Sequence, residues 1–326
     1  MVQISTHHRP GLAITLRLAA IFLFMCMAAL IKVATATVPA GQAVFFRSFF
    51  AFPVILLWLW QQHDLRTGLI PHNLMGHIWR GLFGTMAMGL TFSALGLLPL
   101  PEVTAIGYAT PLFTVIFAAL FLGERVRLFR LSAVGLGLIG VMIVMAPRLT
   151  ATGADTLTAA ATLGAVFALA AAILRALVQI HVRRLVQTEH TAAIVFYFSL
   201  TATLLAACTW PLGALTGWPA LEWVTPGWDI AGLMIAAGLV GGVAQIIVTS
   251  SFRFGPAAML APFDYVSMIY ASLIGWVVFS ELPTLTILAG SALVIFGGIL
   301  IIWRERQLGL DRTKSKENVP PQSTPS

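Results

Sequence analysis

Asp264 and Arg47 are the side chains of this sequence whose placement most needs a chemical explanation, because each lies well inside an apolar run. Both sit some eight residues into their runs, and at about 1.5 Å per helical residue that is roughly 12 Å from the nearer end. A carboxylate at such a depth can bind a cationic or hydrogen-bonding group and can carry a proton. The alternative for Asp264 is a fixed ion pair with Arg47 or Arg253. Arg47 reads either as a binding residue or as a structural one that bonds carbonyls where helices meet. Tyr108 and Tyr265 occupy equivalent deep places, and each can offer a ring face and a hydroxyl donor or simply pack. Gln245 and Gln179 complete a set of six candidate binding residues: Asp264, Tyr108, Tyr265, Gln245, Arg47 and Gln179.

The other charges at the edges of apolar runs read differently. Lys32 and Arg175 are expected near helix ends, where long stems let the charge reach the interface, so both read as interfacial anchors. Glu124 and Glu281 end their runs and read as structural groups that cap a neighbouring helix or pair with arginines. No catalytic residues are assigned. No His/Asp or Ser/base set stands at helical spacing in the apolar runs, and the sequence has no nucleotide-binding glycine motif. Neither a cofactor nor a metal is expected. The two cysteines, Cys26 and Cys208, lie inside apolar runs as small hydrophobes.

Those residues must be held by membrane helices. With 59% hydrophobic and 10% charged residues and a mean hydropathy of +0.92, the chain has too little polar surface to cover a water-soluble fold. Continuous apolar runs point to helices, since a barrel strand would alternate apolar and polar residues. The basic balance of +7 fits loops on the cytoplasmic side of a bilayer and implies no nucleic acid partner.

Ten spans are expected, in an all-α integral membrane protein. A cytoplasmic N-terminus covers 1–11, a first five-helix repeat 12–146, a linker 147–156, a second five-helix repeat 157–303 and a disordered cytoplasmic tail 304–326. The first run is followed by ATATVPA, which could pass for a cleavage region; an uncleaved helix is preferred because the duplication needs it. The duplication is legible without gaps. PLPEVTAIGYATPLFTVIFAALFLGE, from Pro99 to Glu124, returns as PAAMLAPFDYVSMIYASLIGWVVFSE, from Pro256 to Glu281, so that Tyr108 falls on Tyr265 and Gly140 on Gly297.

Lys and Arg set the orientation. With ten spans, Arg9, Arg17, Arg80, Arg127, Arg184, Arg304 and most other basic residues fall on the side of both termini, while Lys32 and Arg148 fall opposite. Both termini are therefore expected in the cytoplasm. Five spans per half is an odd number, so the repeats would be inverted. That arrangement belongs to secondary transporters, with a site near the midplane between the halves.

Two five-helix halves, the FFRSFFAF run around Arg47 and the FLGE and VFSE helix ends resemble the EamA-type members of the drug/metabolite transporter superfamily, over about residues 12 to 303. The resemblance implies a ten-helix, multi-pass carrier of the inner (plasma) membrane with a central cavity and alternating access. The halves diverge where Phe198 falls on Arg47 and Asp264 on Gly107. Few and balanced deep charges beside tyrosines predict a largely neutral substrate with a flat ring and several hydrogen-bonding groups. The spans are similar to bacterial carriers of the riboflavin-transporter type, which implies riboflavin or a similar flat vitamin. Export of amino acids or related metabolites is the alternative. Proton coupling and oligomeric state stay open.

Overall fold

The computed structural model describes residues 9–61, 69–122, 128–149, 156–185, 188–189, 191–218, 220–254 and 260–317. Among them the chain is helical throughout. The helices are α1 (Pro10–Ala34), α2 (Ala40–Phe49), α3 (Phe52–Gln61), α4 (Leu74–Leu97), α5 (Leu100–Gly107), α6 (Ala109–Leu122) and α7 (Leu128–Leu149). They continue with α8 (Thr156–Leu185), α9 (Thr191–Ala207), α10 (Thr209–Thr216), α11 (Trp228–Phe254), a 3-10 turn (Ala261–Tyr265), α12 (Val266–Phe279) and α13 (Leu285–Glu317). Glu124, Arg125 and Arg127, Pro256, the linker residues 150–155, and the terminal residues 1–8 and 318–326 lie outside the described residues.

Among the described residues, six helical segments are long and apolar enough to cross a membrane, and three shorter apolar helices accompany them. Large apolar side chains such as Phe22, Leu57, Leu204 and Phe296 are exposed on the outside, as a lipid-facing surface requires. Several runs that read as single spans are broken in the middle, and proline gives the reason. Pro53, Pro111 and Pro211 each lack the N–H that would bond four residues back, to Phe49, Gly107 and Ala207. Those are the last residues of α2, α5 and α9. The break after Gly107 sets Tyr108 between two helix pieces in the buried core.

Helix pairing shows a pattern of its own. α1 lies along α11 and α4 along α8, while α2 packs on α9 and α7 on α13; α5 also touches α8, as α12 touches α1. α7 and α13 approach each other closely. A Cβ built on Gly140 would stand 2.6 Å from the carbonyl oxygen of Gly290, and one on Gly297 2.7 Å from that of Ala133. Only small residues let two backbones meet so closely, which is how helices adhere in a solvent that supplies no hydrophobic drive. The main core joins both halves, with Ile31, Leu95, Leu100, Ile106, Leu112 and Met234 fully buried.

At the other end, α13 continues to Glu317, whereas composition predicts disorder from Arg304. Once the apolar part is helical, adding residues costs no new nucleus, and the run RERQL is rich in helix formers.

Candidate functional site

A cavity of about 180 Å³ lies where α1, α4, α5, α8 and the start of α12 meet. Met25 and Ala28 come from α1, Thr91 and Leu95 from α4, and Arg175 from α8, while Leu100, Val103, Thr104 and Gly107 line the α5 side. Tyr108 and Ser267 close it. Both halves of the sequence thus contribute to one chamber.

The hydroxyls around it are largely committed. The Tyr108 hydroxyl donates to the Tyr265 carbonyl at 3.1 Å and lies 2.7 Å from Ser267 Oγ. Ser267 in turn donates to the Asp264 carbonyl at 2.6 Å. Thr91 and Thr104 bond the carbonyls of Ala87 and Leu100 one turn back. The Tyr108 and Tyr265 rings meet edge to face at 5.2 Å, and the Tyr265 hydroxyl points at Gly298, where a Cβ would collide with it.

Arg175 is the cation of the chamber. Its Nε is out of reach of solvent and has no hydrogen-bond partner among the described residues, while the side chain lines the cavity. A Cβ on Gly107 would stand 3.1 Å from Arg175 Nη2, so glycine leaves the space beside the guanidinium open. Four residues further along α8, Gln179 accepts a hydrogen bond from Thr114 at 3.0 Å.

Asp264 faces Arg17 in a two-pronged ion pair, Nε to Oδ1 at 2.6 Å and Nη2 to Oδ2 at 2.7 Å. Neither Arg47 nor Arg253 is needed to explain it. A second cluster stands at the other end of α1. Lys32 Nζ lies 3.1 Å from Glu281 Oε1 and donates to the Leu98 carbonyl at 2.6 Å, while Glu281 Oε2 accepts the Leu100 N–H at 3.0 Å. Glu281 therefore caps α5, the negative group at the positive helix end. Beside it Glu102, 2% exposed, takes a bidentate pair from Arg148 at 3.0 and 2.9 Å.

A model of the EamA-like transporter family matches the chain twice, over residues 11–146 and 162–303. The chain belongs to this family. Among curated relatives of this EamA-like transporter, a pseudopaline exporter of Pseudomonas aeruginosa is 30% identical over 301 residues, covering 92% of this chain and 96% of that protein. An S-adenosylmethionine uptake transporter of Rickettsia felis is 26% identical over 82% of this chain and 84% of its own. A riboflavin transporter of Brucella anthropi is 28% identical over 73% and 78%. A solved structure 22% identical shares the fold, with a TM-score of 0.61 over 91% of this chain and 98% of that one.

The EamA-like transporter brings together only part of the expected set. Tyr108 lines the cavity, and Tyr265 and Asp264 stand behind it through the Ser267 bonds. Gln179 is one turn beyond the chamber. Arg47 and Gln245 are not among its lining residues. Arg47 of α2 is buried against Gly241 of α11, and among the described residues its Nε has no hydrogen-bond partner. Gln245 lies one turn further along α11. Close by, Arg80 of α4 stacks 4.1 Å from the ring centre of Phe198.

Two readings are corrected. Arg175 is no interfacial anchor: ten residues of helix follow it to Leu185, about 15 Å. Arg17, which reads as preceding the first apolar run, lies within α1. The signal that could have revealed Arg17 was Pro10, a natural first helical residue that starts α1 seven residues earlier.

Proposed function

We propose that this chain is a secondary transporter that carries a small organic metabolite across the inner (plasma) membrane by alternating access, through ten spans in two inverted halves with both termini cytoplasmic. The chamber built from α1, α4 and α5 of one half and α8 and α12 of the other carries this reading. The two family matches and the exchange of partners between the halves support it: α1 on α11 mirrors α8 on α4, and Gly140 on Gly290 mirrors Gly297 on Ala133. Such mirrored packing offers two alternative closures around one shared site.

Riboflavin or a similar flat vitamin is the substrate that the resemblance favours, and Tyr108 offers such a ring an aromatic face on the cavity wall. The alternative is an exporter of amino acids or related metabolites, and the buried Arg175 favours it, since an acid supplies the missing counter-charge. For Asp264 to carry a coupling proton, its pair with Arg17 must open during the cycle.

The test is uptake by the purified chain in liposomes over a panel that includes riboflavin and amino acids, with and without a pH gradient. Accumulation of at least one compound above empty liposomes is expected. No uptake or exchange of any member would count against the transporter reading. Orientation is read separately: cysteines replacing Arg148 or Glu222 should label from outside intact cells, and those replacing Arg127 or Arg184 should not.

A further inference from the structure

We infer that Arg175 is the docking point for a carboxylate on the transported molecule, so that the substrates of this chain are small organic acids or amphoteric acids rather than neutral compounds. This rests on the transporter reading and deepens it. The guanidinium keeps its charge at every physiological pH, and a lone buried cation is costly unless an anion or water meets it. Its own protein offers no such anion among the described residues. Asp264 is taken by Arg17, Glu281 by Lys32, Glu102 by Arg148, and Glu189 by the start of α4.

The remaining polarity of the chamber points the same way. The hydroxyl donors of Thr91, Thr104 and Ser267 are spent on backbone carbonyls, and Tyr108 is shared between the Tyr265 carbonyl and Ser267. The donors left for a guest belong to the guanidinium, whose planar fork fits two carboxylate oxygens side by side. One cation in about 180 Å³ suits a single acid group on a small body. It does not suit a polyphosphate.

The duplication shows what such a contact looks like. Gly107 falls on Asp264, and in the second copy that position presents a carboxylate to an arginine of α1. In the first copy the position is a glycine and the nearby arginine is Arg175 of α8. A guest carboxylate entering beside Gly107 would fill the role that Asp264 fills in the other half.

The experiment measures the unfolding temperature of the full-length purified chain with matched acids and carboxamides: nicotinate and nicotinamide, tryptophan and tryptophanamide, glutamate and glutamine. At least one acid should stabilise the protein at concentrations at least tenfold below its amide. Arg175→Gln should erase that preference and Arg175→Lys should keep part of it. Gly107→Asp is a second variant that adds an internal carboxylate; it should raise the unliganded unfolding temperature and abolish the response to acids. Equal response to acid and amide, no response to any acid, a preference that survives Arg175→Gln, or stabilisation by inorganic phosphate alone would each overturn the inference. Uptake in liposomes without acid preference would sink the inference and leave the transporter, whereas acid-selective binding without any transport would do the reverse.

Discussion

Arg17 holds Asp264 through two parallel hydrogen bonds of 2.6 and 2.7 Å, tying the first helix of the chain to the 3-10 turn that precedes α12. The contact joins the two halves of the sequence. Its partners are unequally exposed, 14% for the Arg17 side chain and 43% for that of Asp264. Removing one partner of a fully buried pair costs about 3–5 kcal/mol, and the exposure of Asp264 should reduce that. Arg17→Gln and Asp264→Asn are each expected to lower membrane abundance and transport, and the double variant to recover abundance towards wild type. Additive losses in the double variant would contradict a pairwise bond.

Lys32 and Glu281 form the corresponding tie at the far end of α1, where Glu281 also caps α5. Opening this tie should loosen the end of the chamber that faces away from the termini. In a chain lacking Cys26 and Cys208, a cysteine at Val103 should react with an impermeant maleimide several-fold faster from outside intact cells when Lys32→Gln is added. An unchanged rate would show that the pair does not restrain that entrance.

Glu189 links the α8–α9 connection to α4. Its carboxylate accepts the N–H groups of His72 and Asn73 and lies 3.2 Å from His77 Nε2. Burial pushes the carboxyl up, but the N–H bonds from His72 and Asn73 and the nearby His77 ring outweigh it and hold the group below the usual carboxylate range. A folded value below the unfolded one means stability that is present above about pH 4.3 and fades as pH falls through the folded value. Wild type should therefore unfold at a higher temperature than Glu189→Gln at pH 7, by an amount worth about 1–2 kcal/mol. The gap should close as the pH falls below about 4, and a gap independent of pH would refute the assignment.

At the α7–α13 crossing, Gly290→Val places a side chain against the Gly140 carbonyl and the Val144 backbone nitrogen. Backbone cannot yield as a side chain can, so a loss at or above the usual 1–3 kcal/mol of overpacking is expected, read as a fall in abundance and melting temperature. Gly135→Ala, with nothing within 4 Å of its added Cβ, is the control that should fold normally.

Much of this is legible in the sequence. Continuous apolar runs give helices and the ungapped repeat puts Tyr108 and Tyr265 at matching depth, whereas the breaks at Phe50, Tyr108 and Cys208 fall inside runs that read as single spans, and only the structure ties them to Pro53, Pro111 and Pro211. Partnerships were harder. A carboxylate inside a run calls for a partner, but which arginine answers depends on how helices cross, and Arg17 reads as flank because the apolar run becomes obvious only after it. Arg175 was hidden by the charged HVRRLVQTEH that follows, which makes α8 look shorter than the helix that reaches Leu185. Arg47 was prominent in sequence yet packs away from the chamber, where Gly241 gives it room.

The most direct test of the central claim is whether the chamber opens to each side in turn. With Cys26 and Cys208 replaced by serine, Thr104→Cys places one thiol on the cavity wall. The protein is reconstituted in liposomes in one known orientation, and an impermeant maleimide is supplied either outside or trapped within. The account predicts labelling from both sides, at rates that shift in opposite directions when a transported compound is added. Labelling confined to one side under every condition would contradict alternating access.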